Sequence, residues 1–135
     1  MGADTDVNYL KAESYRLLGA VFEVYNDRGH GLAEEIYQEC LEIELELQGI
    51  PFRAKQELAC FYKGRELKRR YIPDLFVFSD IVVELKAVSQ LLPEHEAQIL
   101  NYLRITKRPL GYLINFGKKG GVEYKRFILS EYLPQ

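Results

Sequence analysis

Residues 73–86 read PDLFVFSDIVVELK, two runs of apolar, β-branched and aromatic residues separated by Ser79-Asp80. Runs of this kind fold as buried strands, and any charge inside them needs a partner or a task. Alternation places Val82, Glu84 and Lys86 on one face of the second strand and Ile81, Val83, Leu85 and Ala87 on the other. With a short turn centred on Ser79, Asp74 falls opposite Glu84 and the two Cβ atoms come about 5 Å apart. A slip of one residue would separate them.

Two carboxylates so close repel each other unless a cation lies between them, and an all-oxygen site selects a hard ion, Mg²⁺ or Mn²⁺. Such an ion binds a phosphodiester oxygen, lowers the pKa of a bound water and offsets the charge of in-line attack, which is hydrolytic chemistry. Lys86 suits an electrostatic role on the water or the phosphate, because acting as a base would require its pKa to fall far below about 10.4. The plainer alternative is a half-exposed strand carrying a Glu84–Lys86 ion pair.

The remaining periodicities surround this hairpin with helices. Leu10, Leu17, Leu18, Val21, Phe22 and Tyr25 recur at helical steps, and Gly29 and Gly31 end that helix. Leu32, Ile36, Cys40, Leu41 and Leu45 form a second stripe up to Gly49; the alternation of Leu41 to Leu47 also fits a strand, but Glu and Leu favour the helix. Phe52 to Tyr62, Leu67 to Phe78 and Ile81 to Ala87 read as an antiparallel meander. Pro93 opens a third helix to about Lys107, with Ala97, Ile99, Leu100 and Leu103 facing the core. Strands Leu110 to Phe116 and Val122 to Leu129 complete the order ααβββαββ.

The chain has 135 residues, 47% of them hydrophobic, enough for one core and one domain without disulfides. Cys40 and Cys60 stand alone in apolar surroundings and read as buried free thiols. No stretch is long enough to span a membrane and the N-terminus lacks a leader pattern, so the expectation is a soluble, cytoplasmic protein. The net charge of −2 conceals an acidic run over 34–46 followed by Arg53, Lys55, Lys63, Arg65, Lys68, Arg69 and Arg70. One basic face on an acidic protein and two ordinary solvated faces both fit this pattern.

Through Pro73-Asp74 and Glu84-Leu85-Lys86 the sequence resembles the PD-(D/E)XK nuclease superfamily. More narrowly, it resembles the small bacterial and archaeal GxxExxY proteins, whose motif reads here Gly31-Leu32-Ala33-Glu34-Glu35-Ile36-Tyr37. The likeness runs in order from about Leu18 to Ile128 and takes in Leu92-Pro93-Glu94-His95, Asn101-Tyr102-Leu103 and Asn115-Phe116-Gly117. It implies a restriction-endonuclease-like α/β core, a mixed sheet of about five strands flanked by helices. It also implies that Glu34 joins Asp74, Glu84 and the Leu85 carbonyl as metal ligands, with Lys86 beside them. Gln98 and Tyr102 match the Q-x-x-x-Y element of RecB-like members and share one helical face. His95, on a first helical turn, reads as a surface or capping residue rather than a ligand.

Two functions stand open at this stage. One is a metal-dependent phosphodiesterase acting on DNA or RNA; the other is a catalytically silent module of the same fold that engages nucleic acid or protein. So small a core leaves little surface for reading bases, and a homodimer is one way to add it. Tyr62, Tyr71 and Tyr124 are candidate contact residues for such an interface.

Overall fold

The computed structural model describes residues 7–134, so most of the N-terminal stretch read as lacking a leader lies outside them. Helix α1 (Lys11–Arg28) ends at Gly29, whose φ of +68° turns the chain while its N–H bonds Tyr25 O. After the loop through Gly31, α2 (Glu34–Leu47) starts with Glu34 and Glu35 in its first turn, where the helix dipole favours negative charge. It continues unbroken through Leu47, so the helical reading of Leu41 to Leu47 holds.

Seven strands, one further α-helix and a short 3-10 helix (Ser130–Tyr132) follow among the described residues: β1 (Phe52–Ala54), β2 (Leu58–Tyr62), β3 (Arg65–Tyr71), β4 (Leu75–Val77), β5 (Ile81–Lys86), α3 (Pro93–Thr106), β6 (Leu110–Asn115) and β7 (Glu123–Ile128). Five of the strands form one mixed sheet in the order β1-β4-β5-β6-β7. Neighbours are antiparallel except β5 and β6, which run parallel because α3 connects them.

The expected meander is corrected. Phe52 to Tyr62 and Leu67 to Phe78 each divide into two strands, and β2 and β3 leave the main sheet as a separate hairpin. The first run breaks at Lys55, whose φ of +55° no regular strand tolerates. The second breaks at Ile72-Pro73, where proline has no N–H for a ladder. The hairpin itself turns on Lys63 and Gly64, both at positive φ, as a two-residue connection demands.

Cores lie on both faces of the sheet. On one, Leu17, Val21 and Val24 of α1 and Tyr37, Leu41 and Leu45 of α2 pack against Ile81, Val83 and Leu85. On the other, Ile99 and Leu103 of α3 and Leu58, Cys60 and Tyr71 of the hairpin pack on Phe76, Val82 and Leu113.

Each helix is rotated slightly from its sequence reading. Phe22 and Ile36 are 40% and 45% exposed, and Ala97 is exposed with Leu100 half-buried. Tyr37 turns inward instead of Ile36 because its ring stacks on Phe116 at 4.7 Å. Of the two free thiols, Cys60 is buried and Cys40 only half-buried.

Candidate active site

The β4–β5 turn is centred on Ser79, with Phe78 and Ser79 at positive φ, and it sets the register Val77↔Ile81, Leu75↔Val83. Continued by one residue, that register brings Asp74 opposite Glu84. The Asp74 N–H donates to Glu84 Oε1 at 3.1 Å, and the Leu85 N–H donates to Asp74 Oδ2 at 2.7 Å. Each carboxylate is thus tied to the other strand's backbone.

The second Asp74 oxygen, Oδ1, accepts from Lys55 Nζ at 2.6 Å. Lys55 reaches it from the break between β1 and β2, where its N–H also bonds Asp74 O at 3.3 Å. That carbonyl takes a further bond from Gln38 Nε2 at 2.8 Å, and Gln38 also donates to Glu42 Oε2. Asp74 is consequently held through both its side chain and its backbone.

Glu34, the first residue of α2, lines a hollow with Gln38, Lys55 and Asp74. Burial and the charge of Asp74 raise its pKa above that of an ordinary carboxyl, against the opposing pull of Lys86 and Lys55. Glu84 is affected more strongly: burial first and Asp74 second push it up to about 7. For Lys55, partial burial opposes the charge, but the bond and charge of Asp74, reinforced by Glu84 and Glu34, raise its pKa overall.

The α3 side completes the arrangement. Glu84, Lys86, His95, Gln98 and Tyr102 line one narrow cleft, so the structure brings the helical pair Gln98 and Tyr102 to the strand residues. His95 Nδ1 accepts the Leu92 N–H at 3.0 Å, a capping role at the start of α3. Tyr71, 4% exposed, stacks on Tyr102, and its hydroxyl lies buried beside Glu84 without aligned hydrogen-bond geometry to any group. Of the three tyrosines named as interface candidates, Tyr62 and Tyr124 are exposed, whereas Tyr71 belongs to the interior.

Lys55, Gln38 and Tyr71 are the site residues that sequence reading missed. Gln38 carries a signal, four residues beyond Glu34 on the same helical face. Tyr71 lies three residues before Asp74, but nothing local marks it; Lys55 is one cation in a run of seven.

The donor set is oxygen-only and suits a hard cation. Among the described residues, however, no three His, Cys, Asp or Glu side chains are arranged to hold a metal ion, and it is Lys55 that puts positive charge on Asp74.

A mixed five-stranded sheet with helices on both faces and an Asp/Glu/Lys cluster on its central strands defines a restriction-endonuclease-like protein. The family model of the PD-(D/E)XK nuclease superfamily matches residues 11–127, and the chain belongs to that superfamily. Its members generally use divalent metals. No curated protein matches the chain. Among solved structures, "Crystal structure of SSO0001" is similar in fold, with a TM-score of 0.54 and 19% identity over 70% of this chain and 50% of that one. The chain therefore spans half the length of that protein.

Proposed function

We propose that this chain is a metal-dependent phosphodiesterase that hydrolyses DNA or RNA, working as one domain of the GxxExxY type. Glu34, Asp74, Glu84 and the Leu85 carbonyl would hold Mg²⁺ or Mn²⁺. A divalent ion, when bound, supplies Lewis acidity towards the phosphodiester and its attacking water. Lys86, on the same strand face as Glu84, offsets charge on the phosphate, and Gln98 and Tyr102 orient the substrate from α3. A homodimer belongs to the same reading, since it would add recognition surface.

The observation that carries this reading is the Asp74–Glu84 pair itself. Two carboxyls are held together by opposing backbone amides, burial first and Asp74 second push the Glu84 pKa up to about 7, and a lysine ammonium already lies on Asp74. A fold gains nothing in stability from such crowding, whereas a cation site requires it.

Calorimetric titration with Mn²⁺ and Mg²⁺ tests the reading on the parent and on folded Asp74→Ala and Glu84→Ala variants, with cleavage of labelled DNA and RNA followed in parallel. Binding and cleavage lost in both variants are expected. A second reading, a silent binding module, is favoured by the engagement of both Asp74 oxygens, one by Lys55 and one by the Leu85 amide. It predicts nucleic-acid binding indifferent to Asp74→Ala and no turnover in the parent.

A further inference from the structure

The β2–β3 hairpin is anchored by a few buried residues and is exposed along most of β3. Leu58, Cys60 and Tyr71 anchor its inner side in the core beneath α3, and Lys107 Nζ lies 4.7 Å from the Phe61 ring centroid. The rest of it carries charge: residues 58–71 hold five Lys and Arg against only Glu66, in a chain whose net charge is −2. Glu66 is taken by Arg70 at 2.6 Å. Arg65, Lys68 and Arg69 are exposed, and their side chains enter no ion pair or side-chain hydrogen bond among the described residues. At the tip, Tyr62 is 61% exposed with Lys63 Nζ over its ring.

Position gives this charge a direction. The hairpin's root is Tyr71, beside Glu84 and three residues before Asp74, so the ribbon leads away from the carboxylates. The seven residues of β3 extend about 20 Å, the axial rise of roughly six nucleotides of one strand. Cations strung along an extended strand, with an aromatic ring at its end, match a linear polyanion bearing stackable bases better than a folded acidic surface.

We propose that the β2–β3 hairpin is an arm that grips the phosphate backbone of nucleic acid running away from the carboxylate site. The proposal rests on the nucleic-acid reading above and assigns the grip to residues outside the catalytic cluster. Arg65, Lys68 and Arg69 contact phosphates, and Tyr62 stacks at the far end.

The test is fluorescence anisotropy of labelled duplex and single-stranded oligonucleotides in EDTA, titrated with the parent protein across a salt series. It is repeated with Arg65→Gln/Lys68→Gln/Arg69→Gln and with an equally neutralised control, Lys11→Gln/Arg16→Gln/Arg28→Gln on α1. Each phosphate contact contributes about 0.9 to the slope of log affinity against log salt on duplex DNA, so the hairpin variant is expected to lose two to three from that slope. The control keeps the parent slope. Lys68→Gln alone, expected to lose about one, keeps the test valid if the triple variant folds poorly.

Cleavage with Mg²⁺ is measured on the same samples. Binding whose slope is the same in parent and hairpin variant overturns the arm and leaves the nuclease reading standing. Cleavage without measurable binding also overturns the arm, and absence of both overturns the two together.

Discussion

Tyr71 and Tyr102 lie ring on ring, centroids 4.0 Å apart and planes 8° from parallel, directly beside Glu84. The stack joins the hairpin root to α3, the helix that forms one wall of the cleft. Tyr102→Ala is expected to cost about 1–3 kcal/mol of stability, the ring's partial burial together with its stacking. Tyr102→Phe should keep most of it. Urea denaturation of both variants checks the ordering; equal losses would show that the hydroxyl, not the ring, matters.

Glu84 makes stability depend on pH in an unusual direction. Its pKa near 7 in the fold exceeds the ordinary 4.5, so the folded state holds the proton more tightly than the unfolded chain. Ionisation therefore removes stability as pH rises from about 4.5 to 7, and the full penalty is present above that range. Glu84→Gln is expected to be more stable than the parent at pH 8, by on the order of 1–3 kcal/mol, with the gain vanishing near pH 4. Denaturation at the two pH values measures the difference.

The same proton competes with a metal. If Glu84 is a ligand, Mn²⁺ affinity should rise about tenfold between pH 6 and pH 8, as the fraction of ionised carboxyl does. Lys55 competes for Asp74 as well. Its side chain is 58% exposed, so the pair is worth at most about 1 kcal/mol and Lys55→Gln should tighten Mn²⁺ binding by roughly two- to fivefold. Calorimetry at both pH values reads out both effects; affinity unchanged by either would remove Glu84 and Asp74 from the ligand set.

Tyr37, the last residue of the Gly31–Tyr37 motif, ties down the loop that positions Glu34. Its hydroxyl donates to Gly29 O at 2.5 Å and accepts from the Leu32 N–H at 3.3 Å. Tyr37→Phe keeps the stack on Phe116 and should cost about 1–2 kcal/mol through the two lost partners. Thermal melting measures the loss, and hydrogen exchange at Leu32 should accelerate.

Gly117 is required for space, not for its backbone angle. A Cβ there would meet Val88 N at 2.4 Å and Ala87 C at 2.5 Å, just beyond β5. Asn115, fully buried, ties this crossing together by accepting the Val88 and Gly117 N–H groups and donating to Val88 O. Gly117→Ala is expected to lose about 2–4 kcal/mol, a backbone clash that side-chain rotation cannot relieve. Guanidinium denaturation checks it.

The β4–β5 register was legible in the sequence given a short turn centred on Ser79, although the run Leu67 to Phe78 that held β4 divides into two strands. Asp74 and Glu84 meet as a direct result. Helices α1, α2 and α3 were equally legible in extent, since capping and breaking residues act locally, although the inward faces were off by a residue at Ile36 and Ala97.

Lys55, Gln38 and Tyr71 could not be read this way. They reach the carboxylates from a strand break, the middle of α2 and the end of a hairpin that abandons the main sheet. Local sequence thus determined which segments were helix and strand and which carboxylates faced each other across one turn. Only the tertiary structure decided that β2 and β3 would pack beneath α3 and that a lysine would lie on Asp74, because those outcomes depend on long-range burial that no short window of residues encodes.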